Sequence, residues 1–582
     1  MNKLIELNNS DLLGNVTYVD TSQVIIEIDN PNIMGRISVG NLIAIETGKK
    51  HQLLISLIEK VTRKYIDDFD DTDEDEQEIM VSSADYVKVN IIRTYYTVFG
   101  EKKNIFKRGV DVFPQIESKS YCLVGTNLQN FMNLLSNSIS SEKKLDIGKF
   151  IMDGNARASL DGNKFFQKHA AVLGSTGSGK SWCVANILEK ANQLEYSNIL
   201  VFDMHGEYKS LTNHDSKIAE YYKIAGPGDL EDSDENILFL PYWLLNREEL
   251  LSMILDRSDS NAPNQSSRFT LHIRELKEKT LINEGKEDVT KTFTVDSPIP
   301  FEINELISKL VIDDTKKGVG STGKPVKGEW EGKLTRFISR LNAKVSDKTY
   351  GFMFQPNKAT LDYGWLSKML STLIGHTSGK KGIKIVDFSE VPSDILPIVT
   401  GTLARLLYDI QFWMVADKRT PFALICDEAH LYLPIKDEAD STQKQALYNF
   451  ERIAKEGRKY GVSLVPVSQR PSDISKTILS QCNNFVVLRL TNDRDKSVIK
   501  NLLPDTLKST IDLLPLLDVG EALVVGDAIL LPSRILLDKP SVDHRPVSAT
   551  RDFWDDWDTL SQNNENITEA VEAVRKQSRA KN

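Results

Sequence analysis

Gly174, Gly179, Lys180 and Ser181 stand at the fixed positions of a Gly-x-x-x-x-Gly-Lys-Ser run. That spacing lets a backbone curl until successive N–H groups point inward at phosphate oxygens, while the lysine reaches the β- and γ-phosphates and the next hydroxyl ligates Mg²⁺. The expected nucleotide-binding residues are therefore Gly174, Ser175, Thr176, Gly177, Ser178, Gly179, Lys180, Ser181 and Trp182, with Lys180 also catalytic and Ser181 a metal ligand. Further on, the apolar run 422–426 ends in two adjacent carboxylates, Asp427 and Glu428, before Ala429 and His430. A buried strand needs no such charges. Asp427 is placed to hold Mg²⁺, directly or through water, and Glu428 to orient and polarise an attacking water. A third run, 462–467, ends in Ser468-Gln469-Arg470-Pro471. The Gln469 amide either senses the γ-phosphate or lytic water, or satisfies nearby backbone.

These groups meet only if the chain delivers them to one edge of a sheet. The apolar strand 170–173 enters the loop, and Val184, Ile187, Leu188 and Ala191 leave it at helical spacing. The run 198–203 reads as a buried strand ending in Asp203, followed by Met204-His205-Gly206-Glu207-Tyr208, and polar groups at the carboxyl ends of parallel strands are where such sheets bind ligands. Further strands are expected at 383–388 and 485–488, with helices at 395–415 and 445–460. Strands alternating with helices predict an α/β core over 146–214 and 383–540.

Around this core, β-branched residues between Gly and Asn turns predict a small N-terminal β-barrel over roughly 1–110, with a connector at 94–145. A mostly helical insertion is expected at 215–382, with amphipathic stretches near 247–256, 269–279, 303–312 and 334–345. The acidic run 67–78 reads as a solvated hairpin tip, and the Gly/Lys-rich stretch 316–333 as a basic loop that either contacts a phosphate backbone or is merely solvated. A hairpin about Gly526-Asp527 and a polar tail at 541–582 close the chain; Phe553, Trp554 and Trp557 in that tail either clamp a neighbour or pack on their own domain.

The 582 residues carry 72 Lys and Arg against 82 Asp and Glu, a net charge of −10, so any nucleic-acid contact must be local. Four widely spaced cysteines suit free thiols in a reducing compartment. No export signal or membrane-length apolar run is evident, so a cytoplasmic chain with no membrane partner is expected.

Four segments together resemble the HerA family of hexameric DNA translocases, relatives of the FtsK pumps: the loop at 172–181, Asp203-Met-His-Gly-Glu-Tyr208, Asp427-Glu-Ala-His430, and Glu456-Gly-Arg-Lys-Tyr-Gly-Val462 with Ser468-Gln-Arg-Pro-Ser-Asp473. The likeness extends to the N-terminal strands and to Gly520-Glu-Ala-Leu-Val-Val-Gly526. It implies a RecA-like P-loop ATPase core with an N-terminal small β-barrel and a helical insertion, a homo-hexamer that binds ATP and Mg²⁺ between neighbours, and double-stranded DNA in the central channel. It further implies an arginine supplied by the adjacent subunit. Arg458 matches the family element and Arg470 is a weaker contender, the other reading of Arg458 being a helix-surface ion pair. A nuclease or sirtuin-like effector is the implied partner, in DNA end processing or anti-phage defence; the large insertion and acidic hairpin look more like a bacterial defence-type member. Two other functions fit the core motifs: a nucleotide-gated ring scaffold for an effector, and a conjugative or secretion-type pump ATPase.

Overall fold

The computed structural model describes residues 5–547 except 22, 30–32, 34, 36, 69–79, 101, 196, 214, 232–233, 320–324 and 376–381, together with 554, 557 and 564–577. Period-two alternation builds the first sheet. In Gln23–Ile28 every second side chain is buried, as in a strand with one face on a core. Around the sheet the order is Gln23–Ile28, Leu12–Val19, Lys119–Cys122, Leu42–Glu46, Gln52–Asp68 and Met80–Phe99. The last strand pairs back onto the first, Gln23 opposite Asn90 and Glu27 opposite Tyr86, and so closes a barrel around Val16, Val24, Ile26, Ile43, Leu54, Ile58 and Val87. Lys102–Arg108 lies outside, on Met80–Phe99.

The stretch 94–145 is thus more than a connector. Lys119–Cys122 fills the gap between Leu12–Val19 and Leu42–Glu46, a long-range pairing that four residues do not announce. The first two residues of the acidic run, Asp67 and Asp68, pair with Val81 and Met80; its residues 69–78, where the hairpin tip is expected, lie outside the described residues.

The second sheet has twelve strands. Ile237–Leu238, Ala219–Ile224, Ile383–Asp387, Ile199–Asp203, Phe422–Cys426, Val462–Ser468, Ala170–Leu173 and Asn484–Leu488 run parallel in that order. Glu521–Gly526, Ser533–Leu537, Lys144–Phe150 and Asp153–Asp161 extend it antiparallel. Both faces are covered, which explains the continuous apolar runs. Leu200 and Phe202 enter one core while Ile199 and Val201 enter the other.

Helices form at Arg247–Ile254, Ala262–Asn283, Ile303–Thr315 and Thr335–Ser346, as the periodicity predicts. The insertion nonetheless starts later than expected. Ala219–Ile224 and Ile237–Leu238 belong to the sheet edge, where half-exposed tyrosine and lysine masked the strand pattern. The insertion is tied to the core at Glu249, which caps its own helix at Asn246 and also receives Arg405 at 2.9 Å from helix Leu396–Trp413. Near the C-terminus, Glu521–Gly526 pairs with Ser533–Leu537, so the turn is not the tight one expected at Gly526-Asp527. Ala528, Ile529 and Leu531 are buried in the longer loop, and Asp527 pairs with Lys168 at 2.7 Å. Trp554 and Trp557 lie against each other, ring centroids 4.8 Å apart and planes tilted by 51°; Phe553 lies outside the described residues. In 316–333, Gly318–Val319 pairs with Pro325–Val326, and 320–324 lie outside the described residues.

Candidate nucleotide site

Strand Ala170–Leu173 lies between Val462–Ser468 and Asn484–Leu488, and both neighbours grip the loop that follows it. The Gly174 amide donates to the Ser468 carbonyl at 3.2 Å and the Ser175 amide to the Arg489 carbonyl at 2.8 Å. Ser178 Oγ donates to the Ser175 carbonyl at 2.7 Å. Helix Lys180–Asn192 opens at Gly179, whose φ of 100° is a left-handed conformation that a side chain would strain. The Cys183 amide makes the first helical bond, to the Gly179 carbonyl at 2.9 Å. The amides of Lys180, Ser181 and Trp182 therefore face the loop with the positive end of the helix dipole behind them, which is the chemistry of an anion cradle.

Lys180 Nζ rests on the Ser175 carbonyl at 3.3 Å. Burial lowers the pKa of Lys180, against which the charges of Glu428, Asp427 and Glu207 hold its proton. Those carboxylates come from strands beyond Val462–Ser468, the strand interposed between the loop and Phe422–Cys426. Gln469, at the end of that interposed strand, accepts a hydrogen bond from the Thr176 hydroxyl, so the amide spans from the loop towards the carboxylates.

Burial pushes the Asp427 carboxyl well above the usual range, and the charges of Asp203, Glu428 and Glu207 push it further. Glu428 behaves oppositely. Its burial would raise it, but the hydrogen bond from His430 and the charges of Lys180, His430 and His205 outweigh that and hold the carboxyl below the usual range. Glu428 Oε2 lies 3.2 Å from His430 Nδ1. The Glu428 backbone sits at φ 43°, ψ 46°, a left-handed conformation costing a non-glycine residue about 1–2 kcal/mol. Surrounding bonds impose it: Asp427 N–H donates to the Phe202 carbonyl, Tyr432 Oη donates to the Asp427 carbonyl at 3.0 Å, and Leu431 N–H donates to the Glu428 carbonyl at 2.9 Å. Such strain aims the side chain away from the strand's own direction and into the cleft.

Asp203 proves to be a clamp. Its carboxylate accepts the amides of His205, Gly206, Glu207 and Tyr208 at 2.9–3.2 Å, which folds the following turn. Burial raises the Asp203 carboxyl to about 6 against the pull of those four bonds. The turn presents Glu207 instead, the residue sequence reasoning did not nominate. Its Oε2 and the Tyr208 hydroxyl are buried and, among the described residues, have no hydrogen-bond partner. Unpartnered oxygens beside a lysine and two further carboxylates are what a hydrated cation would satisfy, so the donor set fits Mg²⁺ at Ser181 and Asp427.

Arg458 is elsewhere. It is exposed near the end of helix Ser441–Tyr460 and donates to the Lys168 carbonyl at 3.2 Å and to Asn483 Oδ1. It lines a cavity of about 870 Å³ with Phe166, Leu194, Phe422 and Val462, at the amino-terminal edge of the parallel strands, opposite its own phosphate loop. Arg470 is exposed, 3.7 Å from Asp473.

The same edge holds a pH-sensitive group. The buried His169 imidazole accepts the Leu464 amide at Nδ1, 2.9 Å, so Nε2 carries the proton and donates to the Ala454 carbonyl at 3.1 Å. Burial, and secondly the Arg458 charge, lower it to about 4. An unfolded histidine titrates near 6.5, so the stabilisation is present above that pH and is lost as pH falls towards 4. The expected result is a loss of about 2 kcal/mol between pH 7 and pH 5 in denaturant unfolding. That loss should be absent in His169→Gln, whose amide does not titrate.

A glycine loop gripping a helix start, with paired carboxylates two strands away on a parallel sheet, defines a P-loop ATPase. Residues 145–407 match the family described as Helicase HerA, central domain. The DNA double-strand break repair helicase HerA of Sulfolobus acidocaldarius is 29% identical over 69% of this chain and 70% of its own length. A probable helicase of Methanocaldococcus jannaschii is 27% identical over 76% of this chain and 75% of its own length. Among solved structures, VirB4 of Thermoanaerobacter pseudethanolicus has a TM-score of 0.45 at 16% identity, covering 70% of this chain and 99% of that one. The chain is thus similar to HerA helicases over most of its length, and its central part matches their central-domain family. Among the described residues no helix is long and apolar enough to cross a membrane.

Proposed function

We propose that this protein is an ATP-driven DNA translocase that acts as a ring of six, with nucleotide held between neighbours and double-stranded DNA in the central channel. The observation that carries the reading is the gathering of Asp427, Glu428 and Glu207 around Lys180 at the phosphate loop. In this reading the first-turn amides and Lys180 bind the β- and γ-phosphates, and Ser181 and Asp427 hold the metal. Mg²⁺, when bound, neutralises charge on the phosphate oxygens. Glu428, ionised and aimed by its backbone, accepts the proton of the attacking water, Gln469 holds that water against the loop, and Glu207 takes a hydrogen bond from the same hydration shell. Arg458 of the adjacent subunit supplies the last positive charge.

Movement of DNA follows if turnover around the ring shifts elements that grip it, and the effector expected beside the ring is a nuclease or sirtuin-like subunit serving DNA end processing or anti-phage defence. The deciding experiment measures ATP hydrolysis with and without duplex DNA, together with displacement of a roadblock on that duplex. Stimulation by DNA and ATP-dependent displacement are expected. A rate indifferent to DNA would remove the translocase reading and leave only the ATPase.

A further inference from the structure

The C-terminal segment Asp538 to Val547 folds back over the phosphate-loop helix, which it meets at Glu189 and Trp182, and over the chain that follows the next strand, which it meets at Glu207 and Ser216. Ser541 N–H donates to Glu189 Oε2 at 3.2 Å, His544 Nε2 lies 2.7 Å from the Ser216 carbonyl, and the Val547 amide donates to the Glu207 carbonyl at 2.9 Å. Between these contacts the guanidinium of Arg545 lies over the Trp182 indole, 5.4 Å from the ring centroid. Arg545 is exposed and Trp182 half-buried, and among the described residues no carboxylate pairs with Arg545. In a chain of net charge −10, a guanidinium left on an indole beside an anion cradle is unusual.

The cradle gives this pair a ligand. Its amides run from Lys180 to Trp182, because Cys183 already makes a helical bond. The γ-end of a triphosphate belongs with the Lys180 side chain and the carboxylates, so the α-phosphate falls at the last free amide, that of Trp182. Whatever follows the α-phosphate leaves the helix over the Trp182 side chain. We infer that Trp182 and Arg545 together form the seat for the nucleotide base, the indole by stacking and the guanidinium by covering the base edge, so that the strap is held down by bound nucleotide. Stacking on an aromatic face suits any base, while a flat cation at its edge favours the electron-rich faces and oxygens of a purine. This inference rests on the phosphate-loop reading above.

The test compares two probes on the full chain with Mg²⁺, ATP and inorganic tripolyphosphate, by calorimetric titration. Arg545→Ala and Trp182→Ala are expected to weaken ATP by about five- to 150-fold, the range for loss of one stacked base, and to leave tripolyphosphate within about twofold. Trp182→Phe, which keeps a flat face, should recover most of the ATP affinity. Equal weakening of both probes would make the pair a phosphate contact, and no weakening of either would make it a mere anchor for the strap; each result overturns the inference. Lys180→Ala should weaken both probes together. If it weakens neither, the phosphate-loop reading itself has failed, whatever the Arg545 variants do.

Discussion

An Arg458→Ala variant is expected to bind ATP normally, to assemble, and to turn over about 10³-fold more slowly, the effect of removing an arginine that completes a phosphoryl-transfer site from outside. The expectation follows from its position. Arg458 lies at the amino-terminal edge of the parallel strands, whereas its own phosphate loop lies at their carboxyl ends, so within one subunit it reaches neither Lys180 nor Glu428. Its partners, the Lys168 carbonyl and Asn483 Oδ1, are neutral acceptors that leave the guanidinium's charge uncompensated. Mixing gives the decisive measurement. Arg458→Ala subunits keep an intact loop and Lys180→Ala subunits keep an intact arginine, so a mixed ring rebuilds complete sites at some of its seams. Partial recovery of hydrolysis on mixing is expected. Two inactive parents that stay inactive together would show that Arg458 acts only within its own subunit.

A Glu428→Gln variant is expected to lose about 10²- to 10⁴-fold in hydrolysis while still binding ATP. The side chain keeps its shape and loses only its basicity. Because Lys180, His430 and His205 hold the Glu428 carboxyl below the usual range, it is ionised at neutral pH and ready to accept a proton, whereas buried Asp427 is pushed upward and depends on a cation to stay charged. Environment alone thus pushes the two adjacent carboxylates in opposite directions, as the proposed base and metal ligand require. Single-turnover hydrolysis with bound ATP measured separately distinguishes the outcomes: a variant that hydrolyses at the normal rate would move the base to Glu207, whose Oε2 is buried and, among the described residues, unpartnered.

Much of the core was legible because its signals are local. The glycine loop, the strand before it and the helix after it are contiguous, and backbone sterics alone bring Gly179, Lys180 and Ser181 together. Long apolar runs marked the central strands because parallel strands buried on both faces carry no alternation. Short or half-exposed strands escaped notice: Lys119–Cys122 and Ala219–Ile224 are strands only because a partner edge was waiting for them.

The residue order by itself determined that a phosphate chain can be cradled at Gly174 to Trp182, that two carboxylates stand at the end of 422–426, and that the domain is α/β. It did so because each of these depends on neighbours along the chain. Only the tertiary structure decided what surrounds each acid. Asp203 stands at a strand end where ligands are expected, but four backbone amides occupy its carboxylate, and the turn they fold leaves Glu207 Oε2 buried and, among the described residues, unpartnered. Only the fold, likewise, turned Arg458 away from its own loop and laid Arg545 on Trp182, far apart in sequence. Those placements are set by contacts between segments distant in sequence, whose strength depends on burial and on charges that a linear reading does not bring together.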